Sequence, residues 1–328
     1  MKAIVYTKYG PPDVLHVKEV EKPTPKDDEV LIKVHAAEVT KADCEMRSFN
    51  FQVNWFWLPL RIFLGLKKPK KQILGGYFAG EVESVGKEVS KFKKRDQVFG
   101  TTKLRLGAYG EYVCLPASYT LAPKPCNLSY EDAAAVPLGG LNALHFLRKA
   151  NIQNGEKVLI NGAGGSIGTF GVQLAKAMGA EVTAVDSTIK EEMLRRIGAD
   201  HFIDYTKEDF TKYGQKYDVI FSMVAKSSYT ECVKALKPKG RYLMANPRIS
   251  DMLRSVLTSK LTDKKVIFVF AGEKEEELLA LKEMIEEGKI KSIVDKVYSY
   301  EQAAEAHRRV ETEKRLGTVA ISVGKSRM

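Results

Sequence analysis

The clearest chemistry in this sequence lies in a run of glycines and the acid that follows them. In KVLINGAGGSIGTFGVQLAKAMGAEVTAVD, residues 157–186, an apolar run ends at Ile160, and Gly162, Gly164, Gly165 and Gly168 follow in quick succession. A helical period then begins, with Ile167, Phe170, Leu174 and Met178 on one face and the small Gly171 and Ala175 among them. Glycine lets a backbone turn sharply and come close to an anion. The first N–H groups of a helix are unpaired and sit at the positive end of its dipole, which suits a phosphate. Aligned on its last glycine, the loop reads Ala163-x-Gly165-x-x-Gly168, a departure from strict GxGxxG. The stretch Gly162, Ala163, Gly164, Gly165, Ser166, Ile167, Gly168 is thus a candidate cradle for a pyrophosphate. Asp186 ends the next apolar run, 18 residues after Gly168. This is close to the spacing of about 20 at which an acid takes the ribose hydroxyls of NAD, and a carboxylate there repels the 2′-phosphate of NADP. Lys190, Arg195 and Arg196 follow and could reach a phosphate; a solvated helix surface is their plainer reading.

Such a loop needs a strand before it and a helix after it, and the surrounding texture supplies both. Apolar runs at 158–160, 182–185, 202–203, 219–221, 242–244 and 266–270 alternate with helical segments or turns. Continuous apolar strands alternating with helices imply a parallel sheet covered on both faces, and six of them make a doubly wound dinucleotide fold. Residues 131–149 are helical in pattern, interrupted at Pro137 and Gly139-Gly140, and 273–288 form an amphipathic helix stopped by Gly288. Residues 1 to about 120 read as short strands broken by Gly, Pro and charged turns, which predicts a β-rich barrel or sandwich. From Val294 the short strands return, with one helix near 300–311, so the tail is expected to rejoin the first domain.

The 328 residues, 44% hydrophobic and 28% charged, suit a globular chain of one large domain or two ordinary ones. A formal charge of +11 favours anionic partners without specifying them. No RNA-binding motif and no basic–aromatic strand platform is present, so nucleic acid is not the expected partner. The cysteines, Cys44, Cys114, Cys126 and Cys232, form no C-x-x-C pair, which predicts free thiols in a reduced, cytoplasmic protein. The N-terminus MKAIVYTKYG has no long apolar run of the kind a secretory signal carries.

Taken with the glycine loop, KAIV (2–5), EVLIKV (29–34), AGEVESVG (79–86), DQVF (96–99) and GAYGEY (107–112) run nearly end to end along a pattern that resembles the medium-chain dehydrogenase/reductase superfamily. The resemblance implies an α/β protein: a GroES-like β-rich catalytic domain from 1–122 and 273–328, and a Rossmann domain with a doubly wound, parallel six-stranded sheet from 123–272. The active site then lies in the cleft between them, and NAD(P)H is the cofactor, with Asp186 favouring NAD(H). The superfamily's zinc-ligand cysteine would fall at Thr40, its histidine at Gly76 and the adjacent glutamate at Tyr77, and these cannot build that site. The chain is therefore similar to the zinc-free quinone oxidoreductases. Thr40 and Tyr77 become candidate donors to a developing oxyanion, with an aromatic packing role as the rival for Tyr77. Asp43 and Arg47, at i,i+4 spacing, are expected to pair. Lys226, after the fourth strand of the parallel sheet, stands where it could approach the cofactor. His35, His145, His201 and His307 read as packing or surface residues. An alcohol or aldehyde dehydrogenase, and a non-enzymatic member binding a nucleotide, a membrane or RNA, remain as alternatives.

One segment between Thr40 and Tyr77 needs its own explanation. SFNFQVNWFWLPLRIFLGLKKPKKQ, residues 48–72, is apolar from Trp55 to Leu66 and ends in a knot of lysines. It is too short to cross a bilayer and carries Pro59 and Arg61 in its middle. Its position makes Trp55, Trp57 and Phe63 candidate walls of a pocket for a small, apolar, electrophilic substrate. A homodimer contact and a peripheral contact of Lys67–Lys71 with an anionic membrane are the other readings.

Overall fold

The computed structural model describes residues 1–51, 61, 62, 64–212, 214–269 and 273–323. Trp55, Trp57 and Phe63 lie outside the described residues. Two larger sheets organise the chain. The first takes β3 (Glu29–Val39), β4 (Tyr77–Val85), β5 (Gln97–Thr101), β6 (Tyr112–Pro116) and β7 (Leu121–Pro123), after a small hairpin of β1 (Lys2–Val5) and β2 (His16–Glu19). Late in the chain, β14 (Val294–Tyr298) and β15 (Thr318–Ser322) complete it, in the order β14-β15-β3-β4-β5-β7, with β6 also on β3. β15 runs antiparallel to the end of β3, Val319 opposite Val39 and Ala320 opposite Glu38. β3 is the long central strand, and nearly every side chain along it is buried.

The second sheet is parallel throughout. Its strands are β8 (Lys157–Asn161), β9 (Glu181–Asp186), β10 (His201–Asp204), β11 (Tyr217–Ser222), β12 (Leu236–Met244) and β13 (Lys265–Ile267), in the order β10-β9-β8-β11-β12-β13. This is the doubly wound order expected of a dinucleotide fold, and the winding reverses between β8 and β11, where ligands bind beyond the strand ends.

The helices are α1 (Lys41–Ser48), α2 (Tyr130–Ala134), α3 (Pro137–Ala150), α4 (Ser166–Ala177), α5 (Glu191–Arg196), α6 (Tyr229–Lys234), α7 (Ile249–Leu261), α8 (Glu275–Glu286) and α9 (Ala303–Glu311). Pro137 opens α3 at its first turn, where a missing N–H costs nothing. The Gly139-Gly140 pair, expected to interrupt this helix, does not. A β-carbon at Gly139 would come within 2.5 Å of the Ser166 carbonyl oxygen, so glycine here lets α3 lie against the first turn of α4. Phe146, Phe170 and Phe221 join Leu278 and Leu281 of α8 in one apolar cluster, which also takes in Ala36, Ala79 and Phe99 of the first sheet. The two sheets thus share a packed interior, and α8 contributes to it before the chain returns to the first sheet at Val294. No helix among the described residues is long and apolar enough to cross a membrane.

Candidate active site

The glycine loop joins β8 to α4 beside the point where the winding reverses. Gly168 faces back into the loop, and a β-carbon there would stand 2.3 Å from the Gly162 carbonyl oxygen and 2.5 Å from that of Ala163. Gly165 is the N-cap of α4, and no side chain caps its first turn. The nearest atom to a β-carbon placed on Gly165 would be 3.8 Å away. The first-turn N–H groups of α4, which have no intrahelical partner, suit a pyrophosphate.

Asp186, at the end of β9, is fastened to this loop. Its Oδ2 accepts from the Gly164 N–H at 2.8 Å and its Oδ1 from the Ser187 N–H at 2.8 Å. Lys190 Nζ lies 3.0 Å from Asp186 Oδ1, and both side chains are buried. The plainer expectation for Lys190, a solvated helix surface, is thereby corrected: its stem lies across Gly164, with Cδ 2.2 Å from where a β-carbon would be. Burial is tolerated because the ammonium has a carboxylate partner. Arg195 and Arg196 are exposed, as expected of helix surface. Lys226 is exposed on the loop after β11, next to Ser227, whose hydroxyl accepts from Asn161 Nδ2 at 2.8 Å. This loop flanks the glycine loop, and Val224 is the nearest neighbour of Gly162 across it.

On the side of the first sheet, Thr40 caps α1. Its hydroxyl accepts from the Asp43 N–H at 3.0 Å and donates to Asp43 Oδ2 at 2.6 Å, while its own N–H donates to the same oxygen at 3.0 Å. Asp43 Oδ1 accepts from Gly75 N–H at 3.1 Å, so one buried carboxyl ties the Thr40 turn to the strand entrance that carries Gly76 and Tyr77. Burial raises the Asp43 pKa against the lowering effect of these bonds. Asp43 and Arg47 do not pair with each other, contrary to the i,i+4 expectation: Asp43 turns to the helix start, and Arg47 reaches Glu311 on α9. Among the described residues, a β-carbon on Gly76 would meet nothing within 4 Å. Next to it, the Tyr77 hydroxyl donates to Glu273 Oε1 at 3.1 Å, and Thr101 donates to Glu273 Oε2 at 3.0 Å. Burial, and then the charge of Glu273, push the Tyr77 phenol well above its ordinary pKa.

The two walls are stitched together by groups that local sequence does not announce. Ser166 donates to Glu38 Oε1 at 2.8 Å, Thr318 lies 3.2 Å from the Ser166 hydroxyl, and Gly317 N–H donates to the Gly164 carbonyl at 2.9 Å. Lys41 pairs with Glu313 in the turn just before Gly317. Of the histidines, His307 is buried against Cys44 Sγ at 3.4 Å and Tyr109 Oη at 3.2 Å, and burial lowers its pKa to about 3. His145 pairs with Glu277 and His201 with Glu181, and His35 stacks on Tyr130. Among the described residues, no group of three or more His, Cys, Asp or Glu could hold a metal ion.

Comparison with known proteins shows the family. Residues 26–125 match the alcohol dehydrogenase GroES-like domain, and residues 197–321 match the zinc-binding dehydrogenase family. The chain is 32% identical to a 2-methylene-furan-3-one reductase of Solanum lycopersicum, over 98% of this chain and 79% of that one. The chain belongs to the medium-chain dehydrogenase/reductase superfamily. It is also 32% identical to a quinone oxidoreductase of Sus scrofa, covering 94% and 93% of the two chains. The structure of a quinone oxidoreductase from Coxiella burnetii superposes with a TM-score of 0.87 at 28% identity, covering 99% of each chain. Within the superfamily this chain is quinone oxidoreductase-like, and it is a nicotinamide-dependent oxidoreductase with the GroES-like and Rossmann sheets described above.

Proposed function

We propose that the protein uses NAD(P)H to reduce a small apolar electrophile of the quinone or enone class, without a catalytic zinc. The observation that carries this reading is the cleft wall itself. Where the superfamily's zinc ligands would fall stand Thr40, Gly76 and Tyr77, two hydroxyls and a glycine whose β-carbon position no described residue approaches within 4 Å. A bound nicotinamide supplies the hydride. When carbon accepts it, the conjugated oxygen becomes negative and needs a hydrogen-bond donor. Tyr77 stays a phenol at working pH and can turn its hydrogen from Glu273 to that oxygen; Thr40 is the second donor, with its hydrogen directed to Asp43. Support for the substrate class comes from the names of the relatives, a furanone reductase and quinone oxidoreductases.

The cofactor reading leans to NAD(H), because Asp186 faces the loop where a ribose would lie; its pairing with Lys190 moderates the lean. The assembly reading is a homodimer. Leu253, Leu257 and Leu261 on α7 are 66%, 59% and 78% exposed, in a row beside β13, the outermost strand of the parallel sheet. A membrane contact of the exposed lysines at 67–71 is the second docking reading, and the cytoplasm is the expected location.

The test is oxidation of NADH and of NADPH with a model quinone and a model enone, alongside zinc analysis of the purified protein. Turnover without stoichiometric zinc supports the proposal. Stoichiometric zinc with oxidation of an alcohol by NAD⁺ would establish the alcohol dehydrogenase alternative, and nucleotide binding without any turnover a non-enzymatic member.

A further inference from the structure

Glu38 is a charged residue type in a place that has no use for a charge. It sits near the end of β3, two residues before Thr40, and is 1% exposed. Oε1 accepts from Ser166, the first residue of α4, and the Ser166 hydroxyl is in turn bonded to Thr318 on β15. Oε2 is buried and, among the described residues, has no hydrogen-bond partner. Among the described residues, no ion pair joins this carboxyl to a Lys, Arg or His; the nearby Arg315 donates instead to the Val310 carbonyl and Glu313. Burying an ionised carboxylate without a partner is costly, and such a group holds its proton instead.

We propose that Glu38 is a positioning residue that fastens the first turn of α4 to the strand carrying Thr40, and that it does so as the uncharged acid. The bond is one seam between the phosphate-facing loop and the wall that carries the donors. An uncharged group is also what a pyrophosphate at the start of α4 requires, since a carboxylate there would repel it. The inference rests on nucleotide binding and not on the identity of the acceptor. The Ser166 hydroxyl, by its hydrogen bond, favours the charged form of Glu38 against its burial. Arg315 also favours that form and Asp43 opposes it, while Tyr77 and Tyr109 remain phenols well above their ordinary range. Burial is the largest influence and moves the Glu38 pKa up to about 8. The folded protein therefore holds a proton that the unfolded chain releases from about pH 4.5. Stability contributed by that proton is complete below this value and is lost as pH rises towards 8.

The experiment compares wild type, Glu38→Gln and Ser166→Ala in two measurements. Thermal unfolding without nucleotide is followed from pH 5 to pH 9. Glu38→Gln keeps the shape and cannot ionise, so its Tm should exceed that of wild type by a margin that widens up to about pH 8 and is constant above it. NADH affinity, read by fluorescence, should fall about tenfold in wild type between pH 6.5 and 9 and stay nearly level in Glu38→Gln. Ser166→Ala should weaken NADH at both pH values, since it removes the seam and leaves the acid. Parallel Tm curves for wild type and Glu38→Gln would overturn the uncharged acid. Equal NADH affinity in Ser166→Ala and wild type would overturn the seam. Absence of NADH binding in wild type would fault the nucleotide reading, and the Tm comparison would still decide the state of Glu38.

Discussion

Tyr77 shares its hydroxyl hydrogen with Glu273 in surroundings that hold it as a phenol. Tyr77→Phe keeps the ring and removes the donor. We expect kcat/KM for a quinone or enone to fall about 100-fold, with NADH affinity unchanged and no limb lost from the pH profile below pH 10, as read by steady-state kinetics. A rate equal to wild type would assign the donor elsewhere. At the other wall, Asp186→Ser removes the carboxylate that Lys190 pairs with. The freed ammonium and the absent negative charge should both favour a 2′-phosphate, moving the NADPH-to-NADH preference up about tenfold or more; titration with the two nucleotides measures it. Asp186 was legible because its distance from the glycine loop is a local, one-dimensional signal. Glu38 and Glu273 were not. Glu38 meets Ser166 across 128 positions and Glu273 meets Tyr77 across 196, and neither neighbourhood in sequence differs from an ordinary surface acid.

The elements that hold these residues were legible to different degrees, for physical reasons. The parallel strands stand out because burial on both faces leaves continuous apolar runs, and all six were placed, the last shorter than its apolar run. Residues 29–34 were read as a short strand, yet β3 extends to Val39. The added stretch of strand holds two polar residues, His35 and Glu38, which meet Tyr130 and Ser166 far along the chain. The i,i+4 spacing of Asp43 and Arg47 misled because the start of a helix offers a carboxylate unpaired N–H groups as competitors for an arginine. The tightest element-level constraint is Gly168, where strand, loop and helix meet. Gly168→Ala places a methyl 2.3 Å from a carbonyl oxygen. The expected cost is about 1–3 kcal/mol, seen as a lower Tm, together with loss of NADH binding because the loop must open to admit the methyl. Retention of both would mean the loop is far more pliable than its contacts indicate.

For the whole molecule, the exposed row on α7 sets the assembly prediction. Leu253→Glu with Leu257→Glu should turn a dimer into a monomer in sedimentation or light scattering, with the quinone or enone rate per chain altered less than twofold. A wild-type monomer at high concentration would remove this reading and bring anionic vesicles forward as the next partner to try. One pairing described above has a further consequence for how the protein is made. β15 closes against β3, which was synthesised about 280 residues earlier, a long-range pairing of the kind that slows folding. Until β15 leaves the ribosome, the end of β3 has an open edge, while the parallel sheet can already form. The nascent chain is thus exposed to strand-to-strand association at this edge while the residues between β3 and β15 are made. Its yield in a cell should depend on what shields that edge during this interval, more than on the stability of the finished fold.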